Sequence, residues 1–128
     1  LSLSPCHRRV RALEQSGAIT GYRASLDPAK MGFNFLAIVF ATLKEGDRKA
    51  VSAFEAAVEE IPQIVLAQRL FGDPDYLMHV VTRDLSAFQN LYDEKLSAMP
   101  GVQHLRSTLV MKTVVQDRPF PLESAGRD

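Results

Sequence analysis

Apolar residues beyond position 32 fall into two alternating rhythms. Over residues 33–43 the period is two. Phe35, Ala37, Val39 and Ala41 point one way, and Leu36, Ile38 and Phe40 the other, which predicts a strand apolar on both faces. Gly46-Asp47 then opens a helix whose apolar positions Ala50, Phe54, Ala57 and Ile61 recur every three or four residues until Pro62 stops it. Residues 64–71 and 76–82 read as two further strands joined by the turn Gly72-Asp73-Pro74-Asp75. Asp84 caps a second helix carrying Leu85, Phe88, Tyr92, Leu96 and Met99 on one face, and Pro100-Gly101 ends it. Residues 102–115 form the last predicted strand. The tail from residue 116 on has two prolines and few apolar residues.

Strand, helix, strand, strand, helix, strand is the split βαβ order of a ferredoxin-like α+β sandwich. Right-handed crossovers put both helices on one face of a four-stranded antiparallel sheet. One face then has no cover, although the first strand is apolar on both sides. Burying Leu36, Ile38 and Phe40 is worth roughly 1.5–3 kcal/mol each. The pattern therefore predicts a dimer in which two sheets face each other, unless the head or tail of the chain folds back over the sheet.

The first 32 residues read differently. Residues 5–16 predict a short helix, with Ser4 as N-cap, Pro5 at the first helical position, a narrow stripe of Val10 and Leu13, and Gly17 just past its end. Residues 19–26 alternate weakly, as a short strand or arm would. The net charge of the 128 residues is zero, but residues 1–32 hold five basic against two acidic residues, and the remainder ten against thirteen. A basic head on an acidic body points to a polyanion partner at the head only. On the predicted helix His7, Arg8 and Arg11 share one side. Ser2 and Ser4 at its amino end bring hydroxyls suited to phosphate. Double-stranded DNA is the partner such a helix fits.

Other chemistry finds little support. A single cysteine, Cys6, rules out an internal disulfide framework and makes a reducing, cytoplasmic setting the expectation. The longest apolar run is about half a membrane span, and no secretory leader is evident at the start, so no membrane partner is expected. Asp73 and Asp75 supply two metal-ligand oxygens without a third nearby. His7, His79 and His104 show no ligand spacing, so neither metal nor cofactor is expected. No Ser-His-Asp set, Cys-His pair or phosphate-cradling glycine loop is present, which argues against an enzyme.

Four stretches, taken together, resemble the Lrp/AsnC (feast/famine) family of leucine-responsive transcriptional regulators. Residues 3–19 resemble the second half of that family's helix-turn-helix. Gly21-Tyr22 and Leu26-Asp27-Pro28 resemble its linking strand. Gly72-Asp73-Pro74-Asp75-Tyr76 is similar to its Gly-Asp-x-Asp-Tyr signature. Met99-Pro100-Gly101-Val102 is similar to the Leu-Pro-Gly-Val before its last strand. The match runs in order over about residues 3–115. It departs at the front, where the two helices that precede the recognition helix in the family have no counterpart. The implied organisation is a helix-turn-helix remnant over residues 1–18, a linking strand over 19–32, a ferredoxin-like ligand-binding and oligomerisation domain over 33–115, and a tail over 116–128.

The resemblance implies a DNA-binding regulator that senses a small effector, an amino acid, at the hairpin loop between neighbouring sensor domains. An amino acid is a zwitterion: its ammonium needs carboxylates and its carboxylate needs N–H donors. Asp73 and Asp75 would meet the first need and the backbone around Gly72 and Gly101 the second. Thr108 and Leu109 would wall the pocket, and Pro74 stiffens the loop. DNA binding through Ser2, Ser4, His7, Arg8 and Arg11 would require the missing helices. A stand-alone amino-acid-binding oligomeric module is the alternative, and a small enzyme on a dimeric sandwich a more distant one.

Overall fold

The computed structural model describes residues 4–122 of the chain, which divides into two units, Leu1–Met31 and Gly32–Asp128. In the first unit, helix α1 (Pro5–Ser16) begins where expected: the Ser4 hydroxyl accepts the His7 N–H at 3.1 Å, and Pro5 has no N–H to leave unpaired. It ends at Gly17, whose φ of 84° lies in the left-handed region open to glycine. None of the α1 side chains is buried. The Tyr22 hydroxyl donates to the Glu14 carboxylate and tethers the arm that follows to the helix. Residues 19–26 pair with no strand among the described residues, so of the expected strand or arm the chain by itself shows the arm.

The second unit is the predicted βαββαβ sandwich. Its elements are β1 (Phe35–Leu43), α2 (Arg48–Glu59), β2 (Ile64–Arg69), β3 (Tyr76–Thr82), α3 (Leu85–Leu91) with a π-helical turn (Tyr92–Leu96), and β4 (Val102–Leu109). The strands run antiparallel in the order β2-β3-β1-β4. Ala37, Val39, Ala41 and Leu43 of β1 and Tyr76, Met78 and Val80 of β3 are buried with Val51 and Phe54 of α2 and Phe88 and Leu91 of α3. The Phe54 and Tyr76 rings sit 4.6 Å apart. The π turn, where the Ser97 N–H donates to the Tyr92 carbonyl at 2.9 Å, adds one residue to the helical register. Leu91 and Leu96, five residues apart, therefore both reach the core.

Three strands are shorter than their apolar patterns. β1 begins at Phe35 rather than at residue 33. β2 stops at Arg69 because the Leu70 N–H already closes the hairpin on the Asp75 carbonyl at 2.8 Å, which leaves Phe71 fully exposed. β4 ends at Leu109, opposite Ala37, with one more bond from the Val110 N–H to the Leu36 carbonyl. The ladder stops there, and residues 111–115 join no strand among the described residues.

The other face of the sheet carries Leu36, Ile38 and Phe40 of β1, Leu77, His79 and Val81 of β3 and Leu66 of β2. Those of β1 and β3 are only half-buried, screened by one another. Met111 and Val114 beyond β4, and Phe120 and Leu122 in the described part of the tail, are themselves exposed.

Asp75 joins the β2–β3 hairpin to the sheet. Its carboxylate accepts the Leu43 N–H at 2.8 Å, and its own N–H donates to the Ala41 carbonyl at 3.0 Å. Asp73, two residues earlier, is exposed. Asp75→Ala should thus cost about 1–3 kcal/mol in urea unfolding, the range for stranding a hydrogen-bonded group. Asp73→Ala should change stability by less than about 0.5 kcal/mol. Equal losses would show that the two carboxylates are not divided this way.

Tyr76 gives a second check. Burial, and next the 2.5 Å hydrogen bond it donates to Glu55, push its hydroxyl up to about 12. The folded protein thus holds this proton more tightly than the unfolded chain. The stabilisation is complete below the ordinary phenol value of about 10 and is lost as pH rises through about 12. The urea midpoint should fall across that window, and Tyr76→Phe should flatten the fall. An unchanged slope in the variant would contradict it.

Candidate functional site

The hairpin tip, β1 and β4 enclose an open cavity of about 350 Å³. Phe40 and Thr42 form its floor on the uncovered face of β1. Arg106 and His104 rise beside them because β1–β4 pairing sets Phe40 against Arg106 and Thr42 against His104. A register shift between Thr42 and Leu43 brings Gln103 to the same space. Asp73 and Pro74 close it from the hairpin. Here the Asp73–Pro74 peptide is cis.

Charge and shape in the cavity have identifiable sources. The Arg106 guanidinium lies 4.8 Å from the centre of the Phe40 ring, so the aromatic face orients the cation. Among the described residues, the side chains of Asp73, Gln103, His104 and Arg106 make no hydrogen bond or ion pair with protein groups. One carboxylate, one guanidinium, an imidazole and an amide are therefore available to a ligand. The volume lies at the small end of the range for small-molecule sites.

The structure gathers some of the sequence-predicted residues and not others. Asp73 and Pro74 line the cavity. Asp75 does not, since its carboxylate is turned to the Leu43 N–H. Gly72 adopts φ 148° in the loop and does not line it. Gly101 adopts φ 74° and offers its carbonyl to the Lys44 N–H at 2.8 Å, fastening the entry of β4 to the end of β1. Thr108 and Leu109 face opposite sides of β4, as neighbouring strand residues do. Thr108 pairs with Ile38 on the uncovered face, and Leu109 with Ala37 on the helix side. Neither lines the cavity.

Phe40, Thr42, Gln103, His104 and Arg106 line the cavity without having been among the site residues expected from the sequence. Alternation outward from Phe40, combined with β1–β4 pairing, is the signal that would have found Arg106 and His104. The register shift that delivers Gln103 has no signature in the sequence.

On α1, Ser4 has its hydroxyl engaged in the cap, while His7, Arg8 and Arg11 are exposed. Ser2 lies outside the described residues. A second cavity of about 270 Å³ lies between α2 and β2, beside Glu55, Glu59, Arg69 and Tyr76.

Comparison with known proteins places this architecture. The profile of the Lrp/AsnC ligand binding domain matches residues 36–120. The proline dehydrogenase transcriptional activator of Rhodobacter capsulatus is 39% identical over 116 residues, covering 91% of this chain and 75% of its own. The leucine-responsive regulatory protein of Salmonella typhimurium is 39% identical over 124 residues, covering 97% and 76%. Among solved structures, a transcriptional regulator of Neisseria meningitidis in complex with L-Met superposes with a TM-score of 0.82 at 30% identity, covering 91% of this chain and 75% of that one. With the ligand-binding profile spanning its sandwich and relatives aligned over nearly its whole length, the chain belongs to the Lrp/AsnC family of transcriptional regulators.

Proposed function

We propose that this chain is an effector-sensing DNA regulator whose residues 33–115 bind an amino acid in the cavity beside the β2–β3 hairpin. The cavity itself carries this reading: it joins a carboxylate, Asp73, to a guanidinium, Arg106, neither of which is neutralised by the protein. A free amino acid brings the complementary pair, its ammonium to Asp73 and its carboxylate to Arg106. Asp75 takes a supporting role, holding the loop against β1 rather than touching the ligand. Gly72 and Gly101 shape the two turns beside the site.

The uncovered sheet face lies next to the cavity and shares Phe40 with it. A second copy of the chain covers that face in our reading, because an isologous contact lets the same apolar patch bury itself on both subunits. Ligand binding at the rim of such an interface would favour one assembly over another, and the coupling would be reciprocal. DNA contact is assigned to α1 through Ser2, Ser4, His7, Arg8 and Arg11. The support is its exposed length, its basic side chains and a first turn without acidic residues.

Two measurements test these assignments on the full chain. At a hundred times its Kd, the effector should add about 2.7 kcal/mol of stability, read as a rise in melting temperature across a panel of the common amino acids. Asp73→Asn should abolish the rise without lowering the melting point of the free protein. A panel in which nothing raises the melting point contradicts the sensor reading. For DNA, Arg11→Ala should make the slope of log Kobs against log salt shallower by about 0.9, the value of one phosphate contact. An unchanged slope would remove Arg11 from the interface.

A further inference from the structure

His79 occupies the middle of the sheet face that no helix covers. It stands opposite Ile38 in the β1–β3 ladder and Leu66 in the β2–β3 ladder, with Leu77 and Val81 two residues to either side on its own strand. In the single chain it is already half-buried. We propose that His79 makes the pairing of two chains pH-dependent: the sheet-to-sheet contact accepts the neutral imidazole, and protonation drives the copies apart. The inference rests on a second copy covering this face, and adds the condition under which that copy leaves.

The surroundings decide the sign. A cation taken out of water needs a carboxylate beside it, and a site without one favours the neutral form. On this face β1 brings Leu36, Ile38 and Phe40, and β2 brings Leu66 and Gln68, none of which titrates. β4 brings His104, Arg106 and Thr108, so its fixed charge is a further cation. On the strand of His79 itself, the Asp75 carboxylate at the near end accepts the Leu43 N–H, and Arg83 follows the far end. Asp73 lies beyond β3, in the cavity it shares with Arg106. α2 and α3 pack on the opposite side of the sheet. Among the described residues no carboxylate therefore borders His79, and an isologous contact brings only the same face again. An imidazole in water gains its proton near pH 6.5, whereas one sealed between two apolar faces is held neutral. Protons then bind the separated chains more tightly than the pair, and the pair weakens as pH falls.

Sedimentation velocity of the full chain, labelled with a fluorophore at its exposed Cys6 and followed through a dilution series, gives the dissociation constant of the pair at pH 7.5 and at pH 5.5. The wild type should be paired at pH 7.5, and its constant should rise about hundredfold at pH 5.5, about tenfold from each of two imidazoles. In His79→Leu the constant should change by less than about threefold between the two pH values. His79→Gln, which stays polar but takes up no proton, should do the same, so that added apolar surface is not the reason. A wild type that is a single chain at pH 7.5 overturns the covering copy and the inference with it. A wild type paired equally at both pH values leaves the covering copy standing and overturns the inference. So does a rise that persists in both variants, because another group, His104 first among them, then carries it. Tighter pairing at pH 5.5 also overturns it, since the imidazolium would then meet a carboxylate across the contact.

Discussion

Two helices cannot cover both faces of a four-stranded sheet, and the rest of this structure follows from which face they take. α2 and α3 lie against the side of β1 and β3 that presents Ala37, Val39, Ala41, Met78 and Val80, and Phe54 and Leu96 fill the space between. The small Ala37 and Ala41 of β1 lie on this face, where the Phe54 ring packs 4.6 Å from that of Tyr76 on β3. Because side chains alternate along a strand, the same choice leaves Leu36, Ile38, Phe40, Leu77 and Val81 on the side without a helix. Monomeric proteins seldom expose a contiguous apolar patch of this kind without using it.

The cavity is a by-product of the same arrangement. Its floor is the end of the uncovered face, its charged wall is the outer row of β4, and its lid is the hairpin that Asp75 holds against the end of β1. Two carboxylates two residues apart thus have different surroundings. One accepts a strand N–H and shapes the loop; the other remains exposed and unpaired. The cavity therefore touches three separate elements, and any rearrangement of the sheet face reaches it through Phe40, which belongs to both.

Much of this was legible in the sequence. Period-two alternation identified β1 with both its faces, and the capping residues Ser4, Asp47 and Asp84 marked all three helix starts correctly. Element order then implied the fold and the uncovered face. What escaped depends on partners. A strand's length is set by its pairing, so the apolar run over residues 111–115 read as strand although the β1–β4 ladder stops at Ala37 and Leu109. The π turn after Leu91 is a response to packing that helix periodicity does not encode. Thr108 and Leu109, expected as pocket walls, face opposite sides of β4, a consequence of the strand's pleat. Arg106 was missed because its meaning lies in its pairing with Phe40 across the sheet, not in any neighbour along the chain.

The account depends most on what covers the sheet, and sedimentation equilibrium of the full chain beside Ile38→Asp addresses that directly. Ile38 sits in the middle of the uncovered face and outside the helix-side core, so the variant should fold with unchanged circular dichroism while placing a charge where the second copy would pack. The predicted result is a wild-type mass of two chains or a multiple of two, falling to one chain in the variant. A monomeric wild type, or a variant that keeps the wild-type mass, would contradict a sheet-to-sheet assembly.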